Sequence, residues 1–367
     1  MPLVKSKTPV WAVLGAGHGG MAMAGHLAVQ GFEVRLFNRT AAHLEGILWH
    51  GGIHVKGEVI GFGPVTATDN LALAITGASI IMVVTPASAH RDLAQGLARC
   101  LEPGQIVVLN PGRTGGALEV RRILDQEGCR VPILLAETQT FLYAARAVSR
   151  HEVHILRIKD QVPLATLPSH HIPEVLAAVN QAFPQFTAGT NVLATSLENI
   201  GAVFHPALTL LNAGWIESTG GRFEYYHDGI TPAVATVLDA IDSERVAVAR
   251  ALGVATHTAR DWLYMSYGST GIDLRHAIRH TEAYQGIKAP PNINHRYISE
   301  DVPMSLVPLA SLGQHLGIAT PAINLIIDLA CLMHHTDYRK VGRTIKTLGL
   351  AGLNVEQIGQ LVVGLPA

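Results

Sequence analysis

A glycine-rich turn near the start of the chain constrains the fold more than any other feature. It reads Gly15-Ala16-Gly17-His18-Gly19-Gly20, after an apolar run at 10–14 and before a small-residue helix pattern at 21–30. A strand, a turn with glycines at these positions and a helix are typical of a site that binds the pyrophosphate of a dinucleotide. A second apolar strand at 33–37 follows directly, which favours this interpretation over an ordinary tight turn.

The glycines of the turn have separate expected roles. Gly15 permits the tight strand-to-helix turn, Gly17 lets the backbone approach the pyrophosphate, and Gly20 lets the helix pack closely on the strand. The N-terminus of the helix adds unpaired N–H groups and the positive end of its dipole. We therefore expect Gly15, Gly17, His18, Gly19 and Gly20 to contact the cofactor.

The residues after the second strand bear on which dinucleotide is bound. An Asp or Glu at this point accepts hydrogen bonds from the ribose 2′-OH of NAD, whereas an Arg receives the 2′-phosphate of NADP. This chain has Asn38-Arg39-Thr40, and the planar guanidinium of Arg39 can bind a phosphate through two hydrogen bonds beside the Asn and Thr donors. We expect all three residues to contact the cofactor. The sequence therefore favours NADP(H) over NAD(H). A solvated Arg39 in a protein indifferent to the 2′ group is the alternative.

Composition limits the class of protein. A length of 367 residues suits two domains, and 48% hydrophobic against 15% charged residues predicts either a large core or an oligomer interface, such as that of a homodimer. The net charge of −1, with no basic run longer than two residues, argues against a nucleic-acid partner. The opening segment 1–8 and the glycine-interrupted strand behind it fit neither a signal peptide nor a membrane span.

The cysteines indicate the compartment. Cys100, Cys129 and Cys331 are odd in number and have unrelated spacings, which argues against a disulfide framework or a zinc site. We interpret the three cysteines as core residues of a protein in a reducing compartment. We therefore expect a cytoplasmic protein without a metal site.

Short apolar strands alternate with helical patterns from Val10 to about Phe186. Strands are predicted at 79–84, 105–109 and 131–136, and helices at 90–100 and 117–127. Continuous apolar strands separated by helices indicate a parallel sheet covered on both faces. The segment 53–68 predicts an inserted hairpin, and 153–158 predicts added edge strands.

Long helical patterns replace this alternation from Asn191 onward. They lie at 192–213, 230–252, 256–267, 309–316 and 323–336. Helices without intervening strands indicate a separate domain. The predicted fold class is therefore α/β, with a Rossmann-type doubly wound domain at 1–188 followed by an all-helical domain at 189–367.

Loops that leave the sheet locate the rest of the cofactor site. In an open α/β sheet, ligands bind outside the carboxyl ends of the strands, where Thr85-Pro86-Ala87 and Asn110-Pro111-Gly112 occur. We expect Thr85 and Pro86 to contact the cofactor. The helical domain is then expected to supply the substrate and catalytic groups.

Two segments of the second domain carry polar groups that helical packing does not explain. His205 precedes Pro206 inside an apolar helix pattern, and the proline predicts a kink that turns the histidine toward a cavity. Arg296 and Asp301, five residues apart, fit a clamp for a substrate carboxylate and a group that orients a histidine. A hydrogen-bonded core residue is the alternative for His205.

Six sets of residues form a recognisable pattern along nearly the whole chain. They are Gly15–Gly20; Asn110-Pro111-Gly112 with Thr114–Glu119; Ala136-Glu137-Thr138; Asn199–Ala213 through His205-Pro206; Tyr225-Tyr226 with Gly229–Pro232; and Asn294–Tyr297 with Glu300–Val302 and Leu306–Leu309. On these residues the chain resembles the opine dehydrogenase family, which includes octopine, nopaline and N-(1-carboxyethyl)amino acid dehydrogenases.

The resemblance implies roles for particular residues. The family's catalytic dyad falls on His205 and Asp301, and its substrate-binding arginine falls on Arg296. Within the matched motifs we also expect Thr138 and Tyr226 to bind substrate.

The resemblance implies a reductive condensation. The amine of an amino acid attacks a 2-oxo acid such as pyruvate, and hydride from a nicotinamide cofactor reduces the imine to an N-(carboxyalkyl)amino acid. Some bacterial members carry an Asp after the second strand and use NAD; this chain lacks it, so NADPH is expected, with NADH as the alternative. A ketopantoate-type or other 2-oxo acid reductase is the nearest rival. A non-catalytic NADP(H)-sensing protein is the rival from another class, and the three polar residues of the second domain argue against it.

Overall fold

The computed structural model describes residues 9–365, so the opening segment 1–8 lies outside the described residues. The described chain forms two compact units. The first comprises residues 9–112, 116–195 and 361–365, and the second comprises residues 113–115 and 196–360. Within 9–365, no helix combines the length and apolarity that crossing a membrane requires.

An eight-stranded sheet organises the first unit. Its strands in spatial order are β12 (Phe186–Ala188), β11 (Val162–Leu167), β8 (Leu134–Thr138), β7 (Ile106–Leu109), β6 (Ile80–Val83), β1 (Trp11–Leu14), β2 (Val34–Phe37) and β5 (Thr66–Thr68). All neighbouring pairs are parallel except β11 with β8. Because β1, β6 and β7 are fully buried, their continuous apolar sequences suit a sheet covered on both faces. The doubly wound domain predicted from the sequence is confirmed.

A second, four-stranded sheet corrects two predictions. Its order is β4 (Gly61–Pro64), β3 (Gly52–Gly57), β10 (Glu152–Ile158) and β9 (Tyr143–Ala147). The hairpin predicted at 53–68 is β3 and β4 alone, because β5 leaves it to pair with β2 in the main sheet. The prediction of edge strands at 153–158 is wrong, since β10 lies inside this sheet between β3 and β9. Pairing between distant segments, which local sequence does not encode, decides both.

Six helices accompany these sheets, and a seventh follows β12. They are α1 (His18–Val29), α2 (Glu45–His50), α3 (Leu71–Ile75), α4 (His90–Leu97), α5 (Gly116–Gln126), α6 (Ile172–Val179) and α7 (Val192–Leu197). Helix α1 is buried along most of its length because small residues line it, and Gly25 lets Ile53 and Val55 of β3 approach it. Trp11, Phe183 and Phe186 belong to the same apolar core.

The remaining helices build the second unit, apart from the last residues of α17. They are α8 (Gly201–Leu211), α9 (Ala213–Thr219), α10 (Pro232–Ala251), α11 (Ala259–Tyr267), α12 (Leu274–Arg279), α13 (Arg296–Ser299), α14 (Val307–Leu316), α15 (Pro321–His334), α16 (Tyr338–Val341) and α17 (Val355–Val363). The predicted helical domain is confirmed. Thr231 caps α10 and Pro232 opens it, so part of the Gly229–Pro232 motif serves to start a helix.

The helix predicted at 192–213 is interrupted. It divides into α7, α8 and α9, with the first break at 198–200 rather than at Pro206, which lies inside α8. The buried guanidinium of Arg245 holds this break, because its Nη1 donates to the carbonyl oxygen of Leu197 at 2.6 Å while Asp242 pairs with the same guanidinium. The break leaves Asn199 outside a helix, where its side chain is available to the site.

Candidate active site

The carboxyl ends of β7, β6, β1 and β2 bring together the first group of predicted residues. These strands are neighbours in the sheet, so the glycine turn after β1 lies beside the loops that follow β2 and β6. The amide N–H of Gly15 donates to the carbonyl oxygen of Phe37 at 2.8 Å, and that of Ala16 donates to Asn38 Oδ1 at 3.1 Å. The turn is therefore fixed to the end of β2.

The glycines of the turn meet different surroundings. Gly15 has φ +117°, and a Cβ there would lie 2.6 Å from the carbonyl oxygen of Val84. A Cβ on Gly20 would lie only 1.6 Å from the carbonyl oxygen of Gly15, so the helix packs on the turn as expected. A Cβ on Gly17 would meet nothing within 4 Å, and α1 begins there without a side-chain cap. The turn thus leaves open space in front of uncapped N–H groups.

Asn38 and Arg39, which follow β2, make contacts within the protein that the sequence did not predict. Asn38 braces the turn, since its Oδ1 accepts from Ala16 and its Nδ2 donates to the carbonyl oxygen of Thr40. Arg39 has a side chain that is 81% exposed, 3.7 Å from Asp92 Oδ2, so a carboxylate of α4 does approach it. An exposed pair of this kind is worth little and leaves the guanidinium accessible to a phosphate.

The other predicted cofactor residues lie at the same edge. His18 is exposed, and its Nδ1 accepts from the N–H of Ala147 at 2.9 Å. Pro86 is exposed, and the buried hydroxyl of Thr85 has no hydrogen-bond partner within the described part of the chain. An orphaned buried hydroxyl beside open space and uncapped helix N–H groups fits a bound dinucleotide.

The second unit brings His205 and Asp301 together as expected. Nδ1 of His205, on α8, lies 2.8 Å from Oδ2 of Asp301, which directly precedes the π-helical turn Val302–Leu306. Asp301 is fully buried. Burial would raise the pKa of Asp301, but Arg113 and then His205 lower it below its ordinary value. Because a carboxylate only accepts hydrogen bonds, Nδ1 carries the proton and Nε2 is left for proton transfer.

Arg113 is the residue that sequence reasoning missed. It belongs to the second unit, where its Nη1 lies 3.1 Å from Asp301 Oδ1 and its Nε donates to Glu300 Oε1 at 3.3 Å. Burial works to lower the pKa of Arg113, but Asp301 and Glu300 outweigh it and raise that pKa above its ordinary range. The only signal in the sequence is that Arg113 is the single charged residue within 110–118.

A stack of two tyrosine rings covers one flat face of the His205 imidazole. The ring of Tyr297 stacks on that of His205 with centroids 4.1 Å apart, and Tyr225 stacks beyond it at 5.4 Å. The hydroxyl of Tyr225 donates to the backbone carbonyl of His205, and burial raises its pKa well above the ordinary value, so it stays neutral. Tyr297 lies in a matched motif, but the sequence alone does not assign a role to it.

Gly201 and Asn199 complete the surroundings of the dyad. A Cβ on Gly201 would lie 2.9 Å from Arg113 Nη1 and 3.2 Å from His205 Nδ1, so only glycine lets both groups approach this closely. Asn199 Oδ1 accepts from Arg113 Nη1 at 3.4 Å, and its Nδ2 donates to Ser305 Oγ at 2.8 Å inside the π-helical turn. Such turns are frequent at functional sites.

The three residues that are predicted to bind substrate differ in exposure and in contacts. Arg296 has a side chain that is 61% exposed, with Glu300 Oε2 4.0 Å from its Nη1. Tyr226 is buried and stacks on Tyr284 with centroids 4.2 Å apart. Thr138, in the first unit, is buried, and its hydroxyl lies within hydrogen-bond distance of Asn110 Oδ1 and the carbonyl oxygen of Thr140, both at 2.9 Å.

Known proteins resemble the chain over its whole length. The model of the NAD/NADP octopine/nopaline dehydrogenase alpha-helical domain matches residues 188–334, and that of the NAD-dependent glycerol-3-phosphate dehydrogenase N-terminus matches residues 11–111. An opine dehydrogenase of Arthrobacter sp. (strain 1C) is 38% identical over 98% of this chain and 100% of the relative.

Solved structures share the fold. One is octopine dehydrogenase with NADH and pyruvate, with a TM-score of 0.78 and 22% identity over 98% of this chain and 99% of that one. Another is yersinopine dehydrogenase with NADP⁺ bound, with a TM-score of 0.76 and 16% identity over 97% of this chain and 98% of that one.

Two glycine variants separate cofactor contact from folding. Gly17→Ala should keep the wild-type melting temperature, because the backbone at Gly17 is extended and a Cβ there meets no protein atom. It should weaken the binding of NADH and NADPH by roughly tenfold or more, because the added methyl group would crowd the bound pyrophosphate. Gly20→Ala, the matched control, should lower the melting temperature because its Cβ collides with Gly15. Calorimetry and fluorescence titration measure both; unchanged affinity in Gly17→Ala would place the phosphates elsewhere.

The lowered pKa of Asp301 predicts a pH-dependent stability. The folded pKa lies below the unfolded value of about 3.9, so the stabilisation is complete above that pH and disappears as the pH falls through the folded pKa. At pH 7, Asp301→Asn should therefore have a free energy of unfolding lower than that of wild type by roughly 1–3 kcal/mol. This difference should shrink below about pH 4. Asp328→Asn, which removes an exposed carboxylate, is the control; a pH-independent difference would contradict the assignment.

Proposed function

The chain belongs to the opine dehydrogenase family of NAD(P)-dependent oxidoreductases, and from this premise we propose that it condenses an amino acid with a 2-oxo acid such as pyruvate to an N-(carboxyalkyl)amino acid. The observation that carries the proposal is the 2.8 Å contact between His205 and the buried Asp301 in the helical unit. The octopine dehydrogenase bound to NADH and pyruvate supports a 2-oxo acid as one substrate.

His205 moves the proton. With Nδ1 held by Asp301, Nε2 of the protonated ring can donate a proton to the hydroxyl of the carbinolamine, which leaves as water as the imine forms. In the oxidative direction, Nε2 of the neutral ring can accept a proton. The negative charge of Asp301 stabilises the imidazolium that results in that direction. The nicotinamide cofactor supplies the hydride when bound.

Arg296 binds the carboxylate of the 2-oxo acid. Two arginines act on Asp301 through their charge. Arg113 is 12% exposed and is occupied by the buried acidic groups, whereas Arg296 is mostly exposed and has Glu300 4.0 Å away. A free guanidinium fork binds a carboxylate through two hydrogen bonds, so Arg296 is the better clamp. Tyr226 and its stacked neighbour Tyr284 offer an aromatic wall for the amino acid side chain.

NADPH is the preferred cofactor in this proposal. The exposed Arg39 is the group that would bind the 2′-phosphate, and no Asp or Glu ends β2. Of the two similar structures, one holds NADH and the other NADP⁺. The thiols of Cys100, Cys129 and Cys331 are all free, which supports a cytoplasmic location.

Oxidation of NADPH with pyruvate should depend on an added amino acid. A panel of amino acids, with an amine-free control, tests this by absorbance, and mass spectrometry should detect the secondary-amine dicarboxylate. His205→Ala should lower kcat by about 10²–10⁴, the range for a general acid–base group. Amine-independent formation of a 2-hydroxy acid would instead identify a simple 2-oxo acid reductase.

Arg39→Ala tests the cofactor preference. It should weaken NADPH binding by about 1.5–3 kcal/mol, the value of a charge-assisted hydrogen bond, while NADH binding changes little. Titration of both cofactors into both proteins measures this. An equal loss for the two cofactors, or a wild-type preference for NADH, would reject the assignment.

Arg296→Lys tests the carboxylate clamp. Lysine keeps the charge but lacks the planar fork, so the KM for the 2-oxo acid should rise by roughly tenfold while cofactor affinity is retained. Steady-state kinetics with the 2-oxo acid varied gives this value. If the KM is unchanged, the clamp lies elsewhere.

A further inference from the structure

We infer that Arg113 is a positioning residue of this site: its guanidinium fixes the carboxylate of Asp301 so that one carboxylate oxygen is left to orient the imidazole of His205. The inference rests on the proposed function, because it gives Arg113 a part in the same proton transfer. Arg113 does not take part as an acid or base, since a guanidinium stays protonated.

The two oxygens of Asp301 are divided between two partners. Oδ1 lies 3.1 Å from Arg113 Nη1, and Oδ2 lies 2.8 Å from His205 Nδ1. The contact at Oδ1 is an ion pair without a hydrogen bond, and together with the contact at Oδ2 it opposes rotation about the Cβ–Cγ bond. The tautomer and the plane of the imidazole then follow from Arg113 through Asp301.

Arg113 is itself held in place by groups from other elements. Glu300 and Asn199 accept hydrogen bonds from its guanidinium at 3.3 and 3.4 Å. The fully buried Arg343 donates to the carbonyl oxygen of Thr114 at 3.1 Å, which fixes the backbone next to Arg113. The fork is therefore preorganised before any substrate binds.

The backbone of Arg113 is also unusual. Its φ of +60° lies in the left-handed region that long side chains rarely adopt, and glycine would fit a simple turn at lower cost. Such strain persists where surrounding contacts enforce it, and it often marks a functional position. The guanidinium is what this position gains over glycine.

The charges around Arg113 predict how the loss of its guanidinium changes the electrostatics of the site. The guanidinium of Arg113 lies between the carboxylates of Glu300 and Asp301, and that of the exposed Arg296 lies 4.0 Å from Glu300. The ionisable groups that interact with Asp301 include those of Arg113, His205, Arg296 and Tyr225, and Tyr297 interacts with Arg113. Without Arg113 the cluster becomes more negative, so it holds a proton on His205 up to a higher pH.

Arg113→Gly removes the guanidinium and keeps the backbone conformation. We expect kcat to fall by roughly 10–100-fold, as loss of a supporting partner does, with a smaller change in KM. In the oxidative direction, which needs neutral His205, the pH of half-maximal kcat should rise by about one unit. Added guanidinium chloride, at concentrations too low to unfold the protein, should restore part of the activity. Arg113→Lys should retain more activity than Arg113→Gly.

Arg339→Gln is the matched control. Arg339 pairs with Asp328 and Asn324 within the same unit, outside the dyad network, so its loss should change neither kcat nor the pH profile. In an Asp301→Asn background, Arg113→Gly should cause little further loss of turnover, because Arg113 acts through that carboxylate.

An NMR titration of the His205 ring nitrogens tests the inference without any substrate. The His205 signals are assigned by comparison with His205→Gln, and their midpoint should be higher in Arg113→Gly than in wild type. An unchanged midpoint, or a folded variant that guanidinium does not restore, would overturn the inference. If wild type consumes no cofactor with any amino acid but the midpoint still shifts, the proposed function fails and the positioning role stands.

Discussion

The buried carboxylate of Asp301 is the constraint on which the helical unit depends. A fully buried carboxylate is unfavourable unless charged and hydrogen-bonded partners surround it. The partners come from distant segments: Arg113 from the loop at 113–115, and His205 from α8. Breaking such a pair is strongly destabilising, so the arrangement proposed for proton transfer also ties these segments together.

The surrounding residues make this burial geometrically feasible. Gly201 leaves the space in which a guanidinium and an imidazole lie side by side, and Asn199 links the guanidinium to Ser305. The break between α7 and α8, held by the buried Arg245, frees Asn199 for this contact. Several motif residues that carry no chemistry therefore have a physical reason to be there.

The first unit differs from the second, because its proposed cofactor site is built mostly from backbone. Gly15 makes the turn, Gly20 lets α1 pack on it, and Gly17 leaves the space in front of the helix N-terminus. Asn38 contributes as a brace for this turn rather than as a free ligand group. The charged Arg39 stays outside this framework, and its side chain is exposed.

Glycine spacing and apolar periodicity are local signals, and from them the sequence alone determined the doubly wound sheet and the helical domain. The resemblance to the opine dehydrogenase family implied the pairing of His205 with Asp301. Only the tertiary structure decided the inner position of β10, the break before α8 and the contact of Arg113 with Asp301. Arg113 and Glu300, which meet at 3.3 Å, are 187 positions apart along the chain. A contact of that separation leaves no periodicity in the sequence, and only packing brings the two charges together.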